Sequence, residues 1–205
     1  MESKTLDAFS RLGGILDTLR QQCPWDRGQT LRSLRYLTIE EVHELSEAIV
    51  ADQPEEIKKE LGDLAMHLMF YMKIAEEQGL FTAADVYNRV CDKLVDRHPF
   101  IYRKDDYHGE SWEQLKMREG RKNVLEGVPA SLPSMVKAVR ILEKVAGIDP
   151  EPLPASAPTA PTEGMSESEY GDMLLAVVDW GRRHGFNADD ALCAANNRFC
   201  ERHSR

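Results

Sequence analysis

The 205-residue chain lacks several features that would direct its assignment elsewhere. No apolar run approaches the ~18 residues a membrane-spanning helix needs. The opening, MESKTLDAFS, has no apolar stretch behind a basic start, so nothing there reads as a secretion signal. Its four cysteines (Cys23, Cys91, Cys193, Cys200) show no CxxC spacing and are expected to be reduced thiols of a cytoplasmic protein, not a disulfide framework or zinc knuckle. Basic residues are in the minority, 26 against 35 acids, and a net charge of −9 disfavours long nucleic acid. There is no GxxxxGK[ST] loop, which excludes a P-loop nucleotidase. There is no His-Asp dipeptide of the kind used by another class of phosphohydrolases. A single Glu40-x-x-His43 falls short of the two Glu-x-x-His motifs of a ferritin-like di-iron protein. No alternating strand pattern occurs, so the expected class is all-α.

Apolar residues recur instead at three and four. Leu6, Phe9, Leu12, Leu16 and Leu19 predict a helix over 5–22, followed by the turn-rich CPWDRGQT. Leu31, Leu34, Val42, Leu45 and Ile49 predict a second over 31–51. Ile57, Leu61, Leu64, Leu68 and Ile74 predict a third over 54–78, with Pro54 suited to its first position and Gly79 to its end. Thr82 with Asp85 resembles a capping box opening a helix to Arg97. Residues 100–109 read as loop, Ser111 as the cap of a short helix to Arg121, and 133–145 as a further helix. Residues 147–164 hold five of the ten prolines and read as an extended linker, with two last helices over 166–184 and 188–203.

A repeat runs through this pattern: ELGD…Gly79…KLVDRH over 60–98 returns as EYGD…Gly185…RFCERH over 169–203. The expected organisation is a catalytic helical module over 1–104, a helical connector over 105–146, a Pro/Ala-rich linker over 147–164 and a truncated second repeat over 165–205.

The charge is concentrated. Between Tyr36 and Asp63, nine acids face only Lys58 and Lys59, so 28 residues carry −7 of the −9. At about 100° per residue, Glu40, Glu44 and Glu47 fall within about 60° of one another, with Glu41 about 60° beyond Glu44. Glu56, Glu60, Asp63 and His67 line one stripe of the following helix. If the two helices pack antiparallel, the stripes converge, an arrangement that is costly unless a cation lies between them. Oxygen ligands in that number suit magnesium or manganese.

The run CPWDRGQT…EEVHE…KKELGD…KLVDRHP closely resembles the MazG family of nucleoside triphosphate pyrophosphohydrolases. The likeness is closest from Leu16 to Tyr102 and looser through SWEQLK and the final repeat. The resemblance implies an all-α bundle, a homodimer or higher assembly, and Mg2+ with Mn2+ as a substitute. It also implies cleavage of a nucleoside triphosphate between the α and β phosphates. It assigns Glu41, Glu44, Glu60 and Asp63 to the metal, with Glu40 as a neighbour able to ligate or orient water. Lys59, Lys93 and Arg97 become candidates for the phosphates and Trp25 for the base, although a Trp after a proline more often plugs a core edge. A housecleaning role on the nucleotide pool follows as an expectation. Where the family's two-copy members carry a second acidic helix, this chain has its linker, so Glu169 and Asp172 are expected to hold no metal. That loss also keeps a second function open: a non-catalytic regulator binding nucleotides or a protein on the same scaffold.

Overall fold

The computed structural model describes residues 3–149, 153 and 161–203. The described residues are helical with no strand, and no described helix is long and apolar enough to cross a membrane. The chain divides into two compact units, Met1–Leu94 and Val95–Arg205.

The first unit is built on helices α1 (Ser3–Gln22), α2 (Pro24–Gly28), α3 (Leu31–Val50), α4 (Pro54–Glu77) and most of α5 (Ala83–Arg97). Helices α2 to α5 start with local chemistry suited to a helix N-terminus. Pro24 and Pro54 occupy first-turn positions, where a missing N–H costs nothing. Thr30 and Ser33 form a reciprocal capping box on α3, and Thr82 and Asp85 form another ahead of α5. The turn between α3 and α4 is only Ala51–Gln53. Asp52 takes a left-handed φ of 50°, which an aspartate tolerates better than most side chains. Asp52 N donates to Ile49 O and Gln53 N to Ala48 O, reversing the chain at once. The two helices therefore run antiparallel and make the most extensive contact in the fold. Their core joins Leu34 of α3 to Phe70 and Ile74 of α4 and to Leu16 of α1.

Arg20 ties the turn-rich CPWDRGQT segment to this core. Its Nη1 takes the carbonyls of Asp26, Arg27 and Gln29 at the end of α2, while its other nitrogens pair with Glu77 of α4. The guanidinium also lies over the Phe70 ring.

The stripes predicted as core are only partly buried. Leu6, Phe9, Val42, Ile49, Leu61 and Leu68 are all exposed within the unit. Each belongs to a helix that packs on one side only, so the apolar positions rotated away from the α3–α4 seam remain uncovered.

The second unit departs from the sequence expectation at its start. The segment expected as loop holds a short helix α6 (Pro99–Tyr102) and a 3-10 turn (Lys104–Asp106), nucleated where His98 O accepts from Ile101 N and Tyr102 N. Helix α7 (Trp112–Met117) is shorter than predicted and opens on a Ser111–Gln114 capping box. Helices α8 (Ser134–Ala146), α9 (Glu167–Arg183) and α10 (Ala188–His203) pack together. Most of the predicted linker, residues 150–152 and 154–160, lies outside the described residues.

A buried ionic group joins α7 to α8. Glu113 pairs with Lys116 at 2.6 Å and Lys144 at 3.5 Å, all three nearly inaccessible. Lys144 also donates to Val124 O at 2.6 Å, holding the 121–128 loop. Gly147 is needed beside it, because a Cβ there would meet Glu113 Cγ at 2.8 Å. Burial alone would raise the Glu113 carboxyl, but the two ammonium groups outweigh it and hold the carboxyl below its ordinary range. Its stabilisation is therefore present above the ordinary carboxylate range and lost as pH falls through the depressed value. Glu113→Ala, leaving two buried cations without their anion, is expected to cost about 3 kcal/mol near neutral pH, with the deficit shrinking in acid. Urea unfolding followed by tryptophan fluorescence checks this; an unchanged midpoint at neutral pH would show that the group contributes nothing.

Candidate active site

The antiparallel seam of α3 and α4 sets which acids meet. Glu41 on α3 lies opposite Glu60 and Asp63 on α4, and each of the three offers a carboxylate oxygen within 4.8 Å of the others. Glu60 is buried, at 3% exposure, and Glu41 and Asp63 are half-buried. Glu60 Oε1 accepts from Lys59 Nζ at 2.7 Å. Its Oε2 is buried without a hydrogen-bond partner. A buried carboxylate with one unsatisfied oxygen, grouped with two further carboxylates, is costly in an isolated protein. Filling that place with a hard cation removes the cost. The donor set is all oxygen and suits a divalent ion such as magnesium, manganese or calcium over zinc or copper.

The electrostatics agree with crowding of like charges. The Glu41 carboxyl is pushed above its ordinary range by burial first, then by the negative charges of Asp63, Glu44 and Glu60, and by its approach to the Glu60 carboxylate. Beneath the acids the seam is neutral. His67, one turn beyond Asp63, is buried with its Nδ1 3.2 Å from Thr38 Oγ1, and Tyr71 OH lies 2.7 Å from the same oxygen. Thr38 has one proton, which goes to Leu34 O at 3.0 Å, so the consistent arrangement has both rings donating to Thr38. Burial lowers the His67 pKa, with Asp63 opposing. His67 thus belongs to the packing of the seam, as a satisfied helix histidine.

The other sequence candidates fall in different places. Glu40 and Glu44 are on α3 but exposed, outside the three-carboxylate group. Three residues along a helix leave a 60° offset, which carries Glu44 from the seam to its rim; its charge still acts on Glu41. Lys59 contacts the site through Glu60. Lys93 is exposed on α5. Arg97, in the second unit, is engaged in a bidentate pair with Glu119, with its Nη2 2.8 Å from Oε2, and lies over the Trp112 ring. Trp25 is 59% exposed on α2 and does not plug a core edge. The sequence reading missed Trp112 as an aromatic flanked by cations: Arg97 and Lys116 each lie 5.6 Å from its ring, and His98 packs beside it. The signal available was SWEQLK itself, with a tryptophan and a lysine four apart on one helix face.

In the second repeat, Glu169 is taken up differently. It is the third residue of α9, and its Oε2 accepts from Ser166 N and Ser166 Oγ. Those bonds hold its carboxyl below the ordinary range. Among the described residues, the convergent acid group is that of Glu41, Glu60 and Asp63.

An all-α fold that brings three carboxylates from two antiparallel helices together defines a class: a helical protein with an acid cluster able to hold a cation. The comparisons specify the family within that class. The MazG nucleotide pyrophosphohydrolase domain matches residues 29–102, the stretch that supplies all three acids. The nucleoside triphosphate pyrophosphohydrolase of Escherichia coli (strain K12) is 29% identical over 223 residues, covering 95% of this chain and 85% of that protein. The nucleoside triphosphate pyrophosphohydrolase/pyrophosphatase MazG of Thermotoga maritima is 32% identical over 212 residues, covering 95% of this chain and 83% of that one. An uncharacterized protein of Bacillus subtilis, YabN, is 32% identical over 222 residues but is spanned to 45% of its length. The chain belongs to the MazG family and is a hydrolase.

A raised folded-state pKa means that folding favours the protonated Glu41, so its ionisation near neutral pH works against the metal-free fold. Stability tied to this group is fully present below the ordinary glutamate range and lost as pH rises through the elevated value. Glu41→Gln is therefore expected to raise the melting temperature in chelator near neutral pH, with no gain in acid. Thermal melts at both pH values check this; a lower melting temperature near neutral pH would remove the crowding argument.

Proposed function

We propose that the chain hydrolyses nucleoside triphosphates to the monophosphate and pyrophosphate, with Glu41, Glu60 and Asp63 holding Mg2+ or Mn2+ and Glu44 completing the set from the rim. The observation that carries this reading is the convergence of Glu41, Glu60 and Asp63, each with a carboxylate oxygen within 4.8 Å of the others, around a buried glutamate that keeps one oxygen, Oε2, without a partner. The names of the E. coli and T. maritima relatives supply the reaction class. A divalent cation there supplies neutralisation of phosphate charge and polarisation of water.

The chain's own residues divide the remaining work. Glu60 is held by burial and cannot swing out, so it fixes the depth of the site. Asp63, one turn on, and Glu41, across the seam, set its width. Glu40 and Glu44 lie at the exposed mouth, where a carboxylate can orient water and accept a proton. Lys59 and Lys93 are candidates to offset charge developing on phosphate oxygens, whereas Arg97 is held by Glu119. Trp25 offers an exposed face on which a base can stack.

The uncovered apolar positions Val42 and Ile49 on α3 and Leu61 and Leu68 on α4 support assembly into a homodimer or higher oligomer. Residues 1–104 then form the catalytic module. Residues 165–205 contribute packing but no second metal site, because Glu169 already serves as a helix cap. A role in clearing unwanted nucleotides from a cytoplasmic pool is in keeping with the reaction.

The experiment is product analysis with Mg2+ across canonical, deaminated and oxidised triphosphates. The expected result is matched monophosphate and pyrophosphate, lost by about 100-fold or more in Asp63→Asn with helicity unchanged. Orthophosphate with diphosphate would mean a different bond is cut. Tight nucleotide binding without turnover would instead favour a non-catalytic regulator.

A further inference from the structure

Two lysines stand side by side in the first turns of α4 and do different things. Lys58 reaches along its helix to Glu55, and both side chains are largely in solvent. Lys59 instead turns its ammonium back onto the buried Glu60 Oε1 at 2.7 Å, although its own side chain is 59% exposed. Consecutive residues on a helix diverge by about 100° and do not ordinarily face each other. The long, flexible lysine stem lets the charge fold inward from the rim while the carbons stay outside. Only one of the two Glu60 oxygens is satisfied this way.

We propose that Lys59 is the resident counter-cation of the acid cluster, neutralising Glu60 until a divalent cation displaces its ammonium. The proposal rests on the metal reading above and adds a competition within it. A divalent ion bound at Glu60 and an ammonium group on the same carboxylate repel each other strongly at so short a separation, whichever oxygen each of them uses. Loading the site is therefore an exchange: the bond from Lys59 Nζ to Glu60 Oε1 is given up as the ion is bound, and the ammonium returns to the rim. The arrangement lets a chain with a deeply buried carboxylate fold without metal, at the expense of metal affinity.

The test titrates the full-length protein with Mn2+, following free Mn2+ by electron paramagnetic resonance, for the wild type, Lys59→Met and Lys58→Met. Lys59→Met is expected to bind Mn2+ about fivefold more tightly. Lys58→Met removes the same charge one residue away and is expected to change binding by less than about twofold. Thermal melts give an independent readout: Lys59→Met should melt below the wild type in chelator and lose that deficit in saturating Mn2+. Lys59→Gln replaces the methionine variant should the latter aggregate. Unchanged or weaker Mn2+ binding by the Lys59 variants overturns the proposal, as does an equal gain in Lys58→Met. A wild type that binds no Mn2+ overturns the metal reading and the proposal together. A wild type whose binding is abolished in Asp63→Asn but not improved in Lys59→Met overturns the proposal alone.

Discussion

Placing a carboxylate in the seam between two helices is the constraint on which the rest of the first unit depends. Glu60 is about as inaccessible as the core leucines Leu16 and Leu34, and burying a charge without compensation would cost more than most single contacts supply. The fold answers in three ways at once. One oxygen takes the ammonium of Lys59. The other is left without a partner, in a carboxylate grouped with Glu41 and Asp63, a setting that a cation would make favourable. The layer beneath is closed by neutral hydrogen bonds among Thr38, His67 and Tyr71, so no further charge is added to the seam. The tight Ala51–Gln53 turn sets the register that makes these contacts coincide. Slipping α3 by one residue would rotate Glu41 by about 100° and separate the acids.

Metal capacity and stability are opposed here. Each carboxylate that suits a divalent ion also repels its neighbours when no ion is bound, and this repulsion adds to burial in pushing the Glu41 carboxyl up. The second unit solves a similar problem in the opposite way. Glu113 is equally inaccessible, but two lysines compensate it and no oxygen is left over for a ligand. One buried glutamate is satisfied internally and contributes to the fold. The other is satisfied only in part and is available for chemistry.

Much of this was legible in the sequence because helices impose a short period. The spacing of Glu41, Glu60 and Asp63, the short turn at Pro54, and the Thr82–Asp85 cap are all local relations, and the structure contains each of them. What was not legible depends on rotation and distance. An apolar stripe reports a face but not its cover, so Val42 and Leu61 read as core while lying outside the seam. Glu44 matched the motif but sits 60° off the line of contact. The inward turn of Lys59 runs against the rule that adjacent helical residues diverge, and only the length of its stem allows it. Glu113 and Lys144 are 31 residues apart among many charges, and no periodicity links them. The short helix at Pro99–Tyr102 was hidden because four residues carry too little pattern to separate from a loop.

The two Glu-x-Gly-Asp copies show how far position within a helix governs chemistry. Glu60 is the seventh residue of α4, past the first turns, so its carboxylate has no backbone N–H to accept from and keeps one oxygen unpartnered. Glu169 is the third residue of α9, where unpaired backbone donors of the first turn lie within reach, and its carboxylate closes a capping box with Ser166. The difference comes from what precedes each motif. In the first copy α4 continues upstream through Pro54–Lys59 and turns into an acidic helix. In the second the helix begins only two residues before the glutamate, after a proline-rich stretch. Identical residue types at identical spacing are thus a buried carboxylate with a free oxygen in one setting and a helix cap in the other, and the preceding turn of helix decides between them.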